Sequence, residues 1–226
     1  MRALFLLPLA LALAGAAAAQ PASGARNPLP LAFVIAGLDA DGRVPDSTAL
    51  TFYASPEAAQ PEREITIRAQ AAMYEGVPAP PWLRPEAWWP DYYLFHFRAV
   101  ETRGEWARVV VHEPTGRTLW LRTGGAVTFA RWETFLTRHV TLVARESIAT
   151  NPIRTAPAPD APPADVPADA ARAEWGGDCL MPVEVRGEWA RVAPSGLCSP
   201  DPAPPPLGWI RWRDGDRLLV SWGLTC

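Results

Sequence analysis

The chain has 226 residues, of which 26 are proline and 11 tryptophan, and a formal net charge of −3. That length holds one large or two small domains. The near-neutral balance excludes a basic footprint for nucleic acid or an anionic membrane surface, and the proline content points to long irregular loops.

Arg2, the apolar run over 3–16 and the small residues Ala17-Ala18-Ala19 read as a signal peptide spanning 1–19, with Gln20 as the new N-terminus. The run is short for a membrane span, which needs about 20 residues, so no stable membrane insertion is expected. No cysteine near the cleavage point offers a lipid anchor. The expected location is therefore periplasmic or secreted. Export permits disulfides. Three cysteines, Cys179, Cys198 and Cys226, cannot all pair within one chain. Hairpin geometry favours Cys179 with Cys198, and Cys198 with Cys226 stays open.

Residues 20–46 form an N-terminal segment that opens on Pro, Ala, Ser and Gly and contains a candidate strand at 29–38. Asp39-Ala40-Asp41-Gly42 reads as a turn; it lacks the later carboxylates of a calcium loop, and no metal is assigned. Residues 49–53 are the next strand, and 64–69 alternate as a half-buried strand should. Over 71–91, Tyr74, Trp82, Trp88 and Trp89 lie among prolines, which break both helix and ladder, so this is a long aromatic loop. Residues 92–100, 106–112 and 117–122 then read as a three-stranded meander, with turns at 102–105 and 113–116.

Trp132, Phe135, Leu136 and His139 lie at helical spacing and predict a short helix over 131–139. A strand at 140–144 follows. The Ala, Pro and Asp stretch 155–173 has too little apolar surface to offset its ordering entropy and is expected to be a flexible loop. Strands at 179–185 and 189–193 meet at Arg186-Gly187. Residues equally far from that turn face each other, so position 179 lies near 194 or 195, within reach of Cys198. Strands at 208–213 and 218–222 complete the chain, with a turn at Asp214-Gly215.

Arg103-Gly104-Glu105-Trp106-Ala107-Arg108-Val109 recurs letter for letter as Arg186-Gly187-Glu188-Trp189-Ala190-Arg191-Val192. Each copy precedes a second Trp strand, Thr118-Leu119-Trp120-Leu121-Arg122 or Gly208-Trp209-Ile210-Arg211-Trp212. A repeat in this order signals two copies of one unit. The second unit resembles the bacterial Src-homology-3-like (SH3-like) domain family at Asn151-Pro152-Ile153-Arg154, Pro157, Val183-Glu184-Val185, the Gly187 to Val192 hairpin and Gly208-Trp209-Ile210. The first unit matches at Phe52-Tyr53-Ala54-Ser55-Pro56, the Gly104 to Val109 hairpin and Leu119-Trp120-Leu121, but lacks the Gly before Trp120. The resemblance implies a mainly β chain of two small SH3-like β-barrels, one over 47–130 with its aromatic loop at 71–91 and one over 151–226 with its Ala/Pro loop at 155–173. Residues 131–150 are then a connector with a short helix. It also implies a non-catalytic binding module of the cell envelope, whose partner is a peptide, a peptidoglycan fragment or another protein. No cofactor is implied.

The period of two places Trp106 and Arg108 on one strand face and Ala107 and Val109 on the other, and likewise Trp189 and Arg191 against Ala190 and Val192. A Trp beside an Arg can bind a flat or carboxylate-bearing ligand, or it can cover a core. Trp82, Trp88, Trp89 and Tyr92 are the loop candidates, since aromatics among prolines present contact area at low entropic cost. His96, His112 and His139 show no metal or catalytic spacing. Two other readings stay open: a structural subunit, or oligomer, whose aromatic surfaces are buried in an assembly, and an envelope hydrolase whose polar cluster forms only in the fold.

Overall fold

The computed structural model describes residues 32–37, 43–69, 78–167, 170, 172, 177–199, 201 and 203–224. The expected signal peptide, the turn at 39–42, parts of the loops 71–91 and 155–173, and Cys226 lie outside them. The chain is mainly β.

Eight strands form the first sheet: β1 (Ala32–Ala36), β2 (Ser47–Tyr53), β3 (Arg63–Arg68), β4 (Ala87–Trp89), β5 (Leu94–Arg103), β6 (Trp106–His112), β7 (Arg117–Arg122) and β8 (Val127–Arg131). Their order is β3-β2-β7-β6-β5-β1-β8, with β4 also paired to β5. The helix α1 (Trp132–Arg138) follows. The second sheet contains β9 (Leu142–Arg145), β10 (Leu180–Arg186), β11 (Trp189–Pro194) and β12 (Gly208–Arg211). A short hairpin, β13 (Arg213–Asp214) and β14 (Arg217–Leu218), leads to β15 (Val220–Gly223), and the sheet order is β12-β11-β10-β9-β15.

Neither sheet closes into the expected barrel: no ladder joins β3 to β8, or β12 to β15, among the described residues. The first sheet instead curls, since Leu50, Phe52 and Ile67 near one end share a core with Val34, Ala36 and Val127 near the other.

The strand β1 is buried on both faces. Ala32, Val34 and Ala36 enter the first core, whereas Phe33 and Ile35 enter a second core built with α1 and the second sheet. Phe33 stacks on Phe135 with ring centroids 3.8 Å apart and meets Trp132 edge-on at 5.0 Å. Trp132 in turn lies 4.8 Å from Trp212 and 5.6 Å from Trp222. The connector expected between two independent units is thus the packed centre of the molecule. Its strand β9 is an interior strand of the second sheet, between β10 and β15.

The two long loops are more ordered than their composition predicts. Within 71–91, Ala87–Trp89 pairs with Leu94–His96 around a one-turn 3-10 helix at Pro90–Tyr92, and Tyr93 takes φ 52° as the chain reverses. Thr48 and Tyr93 share a hydrogen bond of 3.0 Å between their hydroxyls, which holds this reversal in the core. In the Ala/Pro loop, Thr155 and Ala164 donate backbone bonds to Pro162 and Ile153, and Arg154 donates to the Ala161 carbonyl at 2.5 Å. These backbone and arginine bonds order this part together with Ala161, Ala164 and Val166, which are buried or pack against the second core.

Cys179 and Cys198 form a disulfide. Beside it, Asp178 accepts two bonds from the Arg145 guanidinium, at 2.6 and 2.9 Å, and both side chains are nearly inaccessible. Among the described residues no helix is long and apolar enough to cross a membrane.

Two substitutions test this arrangement. Phe135→Ala removes the fully buried ring on which Phe33 stacks. It should lower the unfolding free energy in urea by about 3–5 kcal/mol while retaining one cooperative transition, because the second core is common to both sheets. Asp178→Ala leaves the Arg145 charge buried without its carboxylate and should cost about 3–5 kcal/mol in the same assay.

Candidate functional site

The repeated heptad folds into the same hairpin twice. Gly104 and Gly187 take φ 55° and 58°, while Glu105 and Glu188 keep negative φ, so each forms the two-residue turn with Gly at its first position. Trp106 pairs with Arg103, and Trp189 with Arg186. Both ladders slip by one residue at the same place, between Ala99 and Glu101 and between Pro182 and Glu184. Ala107, Val109, Ala190 and Val192 are buried, so the tryptophans project from the opposite, outer face as the alternation requires.

The outer-face contacts repeat as well. Arg103 lies over the Trp120 ring at 4.9 Å, and Arg186 over Trp209 at 5.0 Å. These arginines donate to Glu101 at 2.8 Å and Glu184 at 2.5 Å, respectively. Trp106 stands opposite Arg122, and Trp189 opposite Arg211. Arg122 donates to Glu105 at 2.7 Å and Arg211 to Glu188 at 2.5 Å. Bonding to Glu105 raises Arg122 above the usual guanidinium value. Bonding from Arg211, then from the Gly215 amide, lowers Glu188 below the usual carboxylate value. Both shifts favour the charged form, of Arg122 in the first unit and of Glu188 in the second.

Each tryptophan lines a groove. The first, about 600 Å³, runs between Ala49, Thr51 and Tyr53 on one side and Trp106, Arg122 and Thr123 on the other. Tyr53 meets Trp106 edge-on, centroids 5.2 Å apart. The second, about 390 Å³, joins Trp189 to Asn151, Arg154, Arg211, Asp214 and Arg217. Asn151 is held there like a strand residue: its amide donates to the Arg211 carbonyl at 2.7 Å and its oxygen accepts the Arg211 N–H at 3.0 Å.

Of the residues singled out in the sequence, Trp106 and Trp189 line these grooves. Arg108 and Arg191 do not; they lie 2.9 and 3.9 Å from Glu101 and Glu184 on the adjacent strands. Trp82 and Trp88 pack on the first core, 5.5 Å from Phe52 and 4.6 Å from Phe95. Trp89 and Tyr92 are 37% and 51% exposed at the 3-10 turn and line neither groove. Sequence reasoning missed Tyr53, Asn151 and the arginine partners Arg122 and Arg211. The arginines carried a signal: each directly follows the Trp-Leu or Trp-Ile pair of its unit.

The histidines do not converge on either groove. The His112 ring shares a hydrogen bond with the Thr115 hydroxyl at 2.9 Å. His96 is fully buried beside Phe135, 6.5 Å from the His139 ring, and neither of its nitrogens has a hydrogen-bond partner among the described residues. No group of three His, Cys, Asp or Glu side chains suited to a metal ion occurs among the described residues. No protein-family model, curated protein or solved structure matches the chain.

Burial, followed by the neighbouring His139, lowers His96 to about 4. An unfolded histidine titrates near 6.5. Above that pH both states are neutral, and between 6.5 and 4 the unfolded chain alone takes the proton, so stability falls as pH falls through this window. Unfolding free energies from urea titrations at pH 7 and 4.5 should differ by about 2–3 kcal/mol more in the wild type than in His96→Leu.

Proposed function

We propose that the protein is an exported, non-catalytic binding protein whose two SH3-like units recognise a peptide, a cell-wall fragment or a protein partner in the cell envelope. The observation that carries this reading is the doubled surface: two hairpins of one sequence each set a tryptophan in a groove beside a hydrogen-bonded arginine–glutamate pair. The tryptophan supplies apolar contact area, and the ion pair supplies a fixed donor and acceptor for a peptide or amide-bearing ligand. The Cys179–Cys198 disulfide supports an oxidising compartment, and with it the reading of 1–19 as a signal peptide. SH3-like character rests on the order of hairpin, Trp strand and turn in each unit, with sheets that curl around their cores without closing.

The grooves differ in lining, the first framed by Tyr53 and small residues and the second by arginines and Asn151. Two unlike weak sites on one packed frame raise affinity by acting together when the ligand spans both. The test is retention of the oxidised protein on purified cell walls and on an immobilised random-peptide library. Trp106→Ala and Trp189→Ala should each weaken retention roughly tenfold or more, with far-UV circular dichroism unchanged. A monomeric wild type held by neither matrix overturns the reading.

A further inference from the structure

The first groove exists because a ladder stops early. The strand β2 pairs with β3 along Ser47 to Phe52 but with β7 only at Phe52 and Tyr53. Beyond Arg122 the chain turns away: Thr123 donates to the Glu105 carbonyl, and Gly124 and Val127 bond each other around Gly125 at φ 58°. Among the described residues, the opposite edge of β2 has no strand beside it over residues 47–50.

The direction of its backbone groups follows from one bond. Glu62 donates to the Phe52 carbonyl, so even-numbered residues of β2 direct their N–H and C=O at β3. The odd-numbered residues point the other way, into the groove. Ser47 and Ala49 therefore offer both backbone groups there, and no described residue bonds them. The side chains along this edge are small and uncharged. The outer strand β3 carries Arg63, Glu64 and Arg68, the charges that ordinarily guard an edge against pairing. The open edge of β2 has no such guard.

We infer that the first groove takes an extended peptide of a partner protein by strand addition: the peptide lies along Ser47 to Thr51, on the line β7 abandons at Arg122. This rests on the binding reading above and adds the mode and the ligand class. Backbone bonds to Ser47 and Ala49 hold about five residues in the β conformation, a span of roughly 17 Å. The side chain that stands over Tyr53 and Trp106 is apolar or aromatic, because two rings at 5.2 Å form that wall. Proline is excluded where the peptide must donate to the Ala49 carbonyl.

The test starts from a displayed decapeptide library selected on the intact, oxidised protein. The tightest binder is resynthesised with each backbone amide N-methylated in turn. Strand addition predicts a loss of at least tenfold at alternate positions and tolerance between them. It also predicts a comparable loss in Ala49→Pro, whose missing N–H has no partner among the described residues, so its circular dichroism and urea midpoint stay near wild type. If N-methylation is tolerated throughout and Ala49→Pro binds normally while Trp106→Ala does not, strand addition is overturned and the groove reading stands. If the library yields no binder, strand addition is overturned, and the broader binding reading falls with it only when purified cell walls also fail to retain the monomeric protein.

Discussion

Phe33 enters the second core from β1, a strand that lies between two cores and is buried on both faces, and the rest of the structure depends on how that strand is covered. One face of β1 is closed by the curled first sheet, the other by α1 and the second sheet. A five-residue strand this apolar cannot stand at an edge, so it requires pairing on both sides as well, and β5 and β8 supply it. The stacking of Phe33 on Phe135 therefore joins two halves that the repeat alone would suggest are separable. It also explains why the aromatic cluster of Trp132, Trp212 and Trp222 sits between the sheets and not on a binding surface.

The repeated heptad shows how identical sequence yields an identical frame and a different surface. Its glycine turn, its ladder slip, its arginine–tryptophan contact and its ion pair recur in both units because each is made within the hairpin or to the next strand. The grooves beside the two tryptophans are lined by segments outside the repeat. In the first unit that segment is β2, which leaves β7 after two paired residues; in the second it is the loop around Asn151 and Arg154. Under the proposed binding function, specificity falls where the copies diverge, with the hairpin serving as the rigid support on which those segments rest.

Strands 106–112 and 117–122 and the helix at 131–139 were legible because alternation and helical spacing over an apolar stripe leave few alternatives. The disulfide was legible from hairpin arithmetic. The pairing of Ala87–Trp89 and the bonded return of 155–164 were not, since proline-rich segments have no period, and their order comes from individual backbone bonds within the loops that no repeating pattern marks. The candidate site was half legible. Trp106 and Trp189 announced themselves by repetition, whereas Arg108 and Arg191 looked available only because the neighbouring strands' Glu101 and Glu184 could not be placed from spacing alone.

By itself the sequence determined the local frame: two Gly-Glu turns, the tryptophan face opposite the Ala-Val face, and the cysteines within reach of each other. These follow from φ preferences and a period of two, which act over a few residues. Only the tertiary structure decided that β1 lies between β5 and β8, that α1 is a core element, that the sheets stay open, and that β2 keeps a bare edge beside Trp106. Those outcomes depend on which distant apolar faces cover one another and on where a ladder runs out, and no local pattern encodes either.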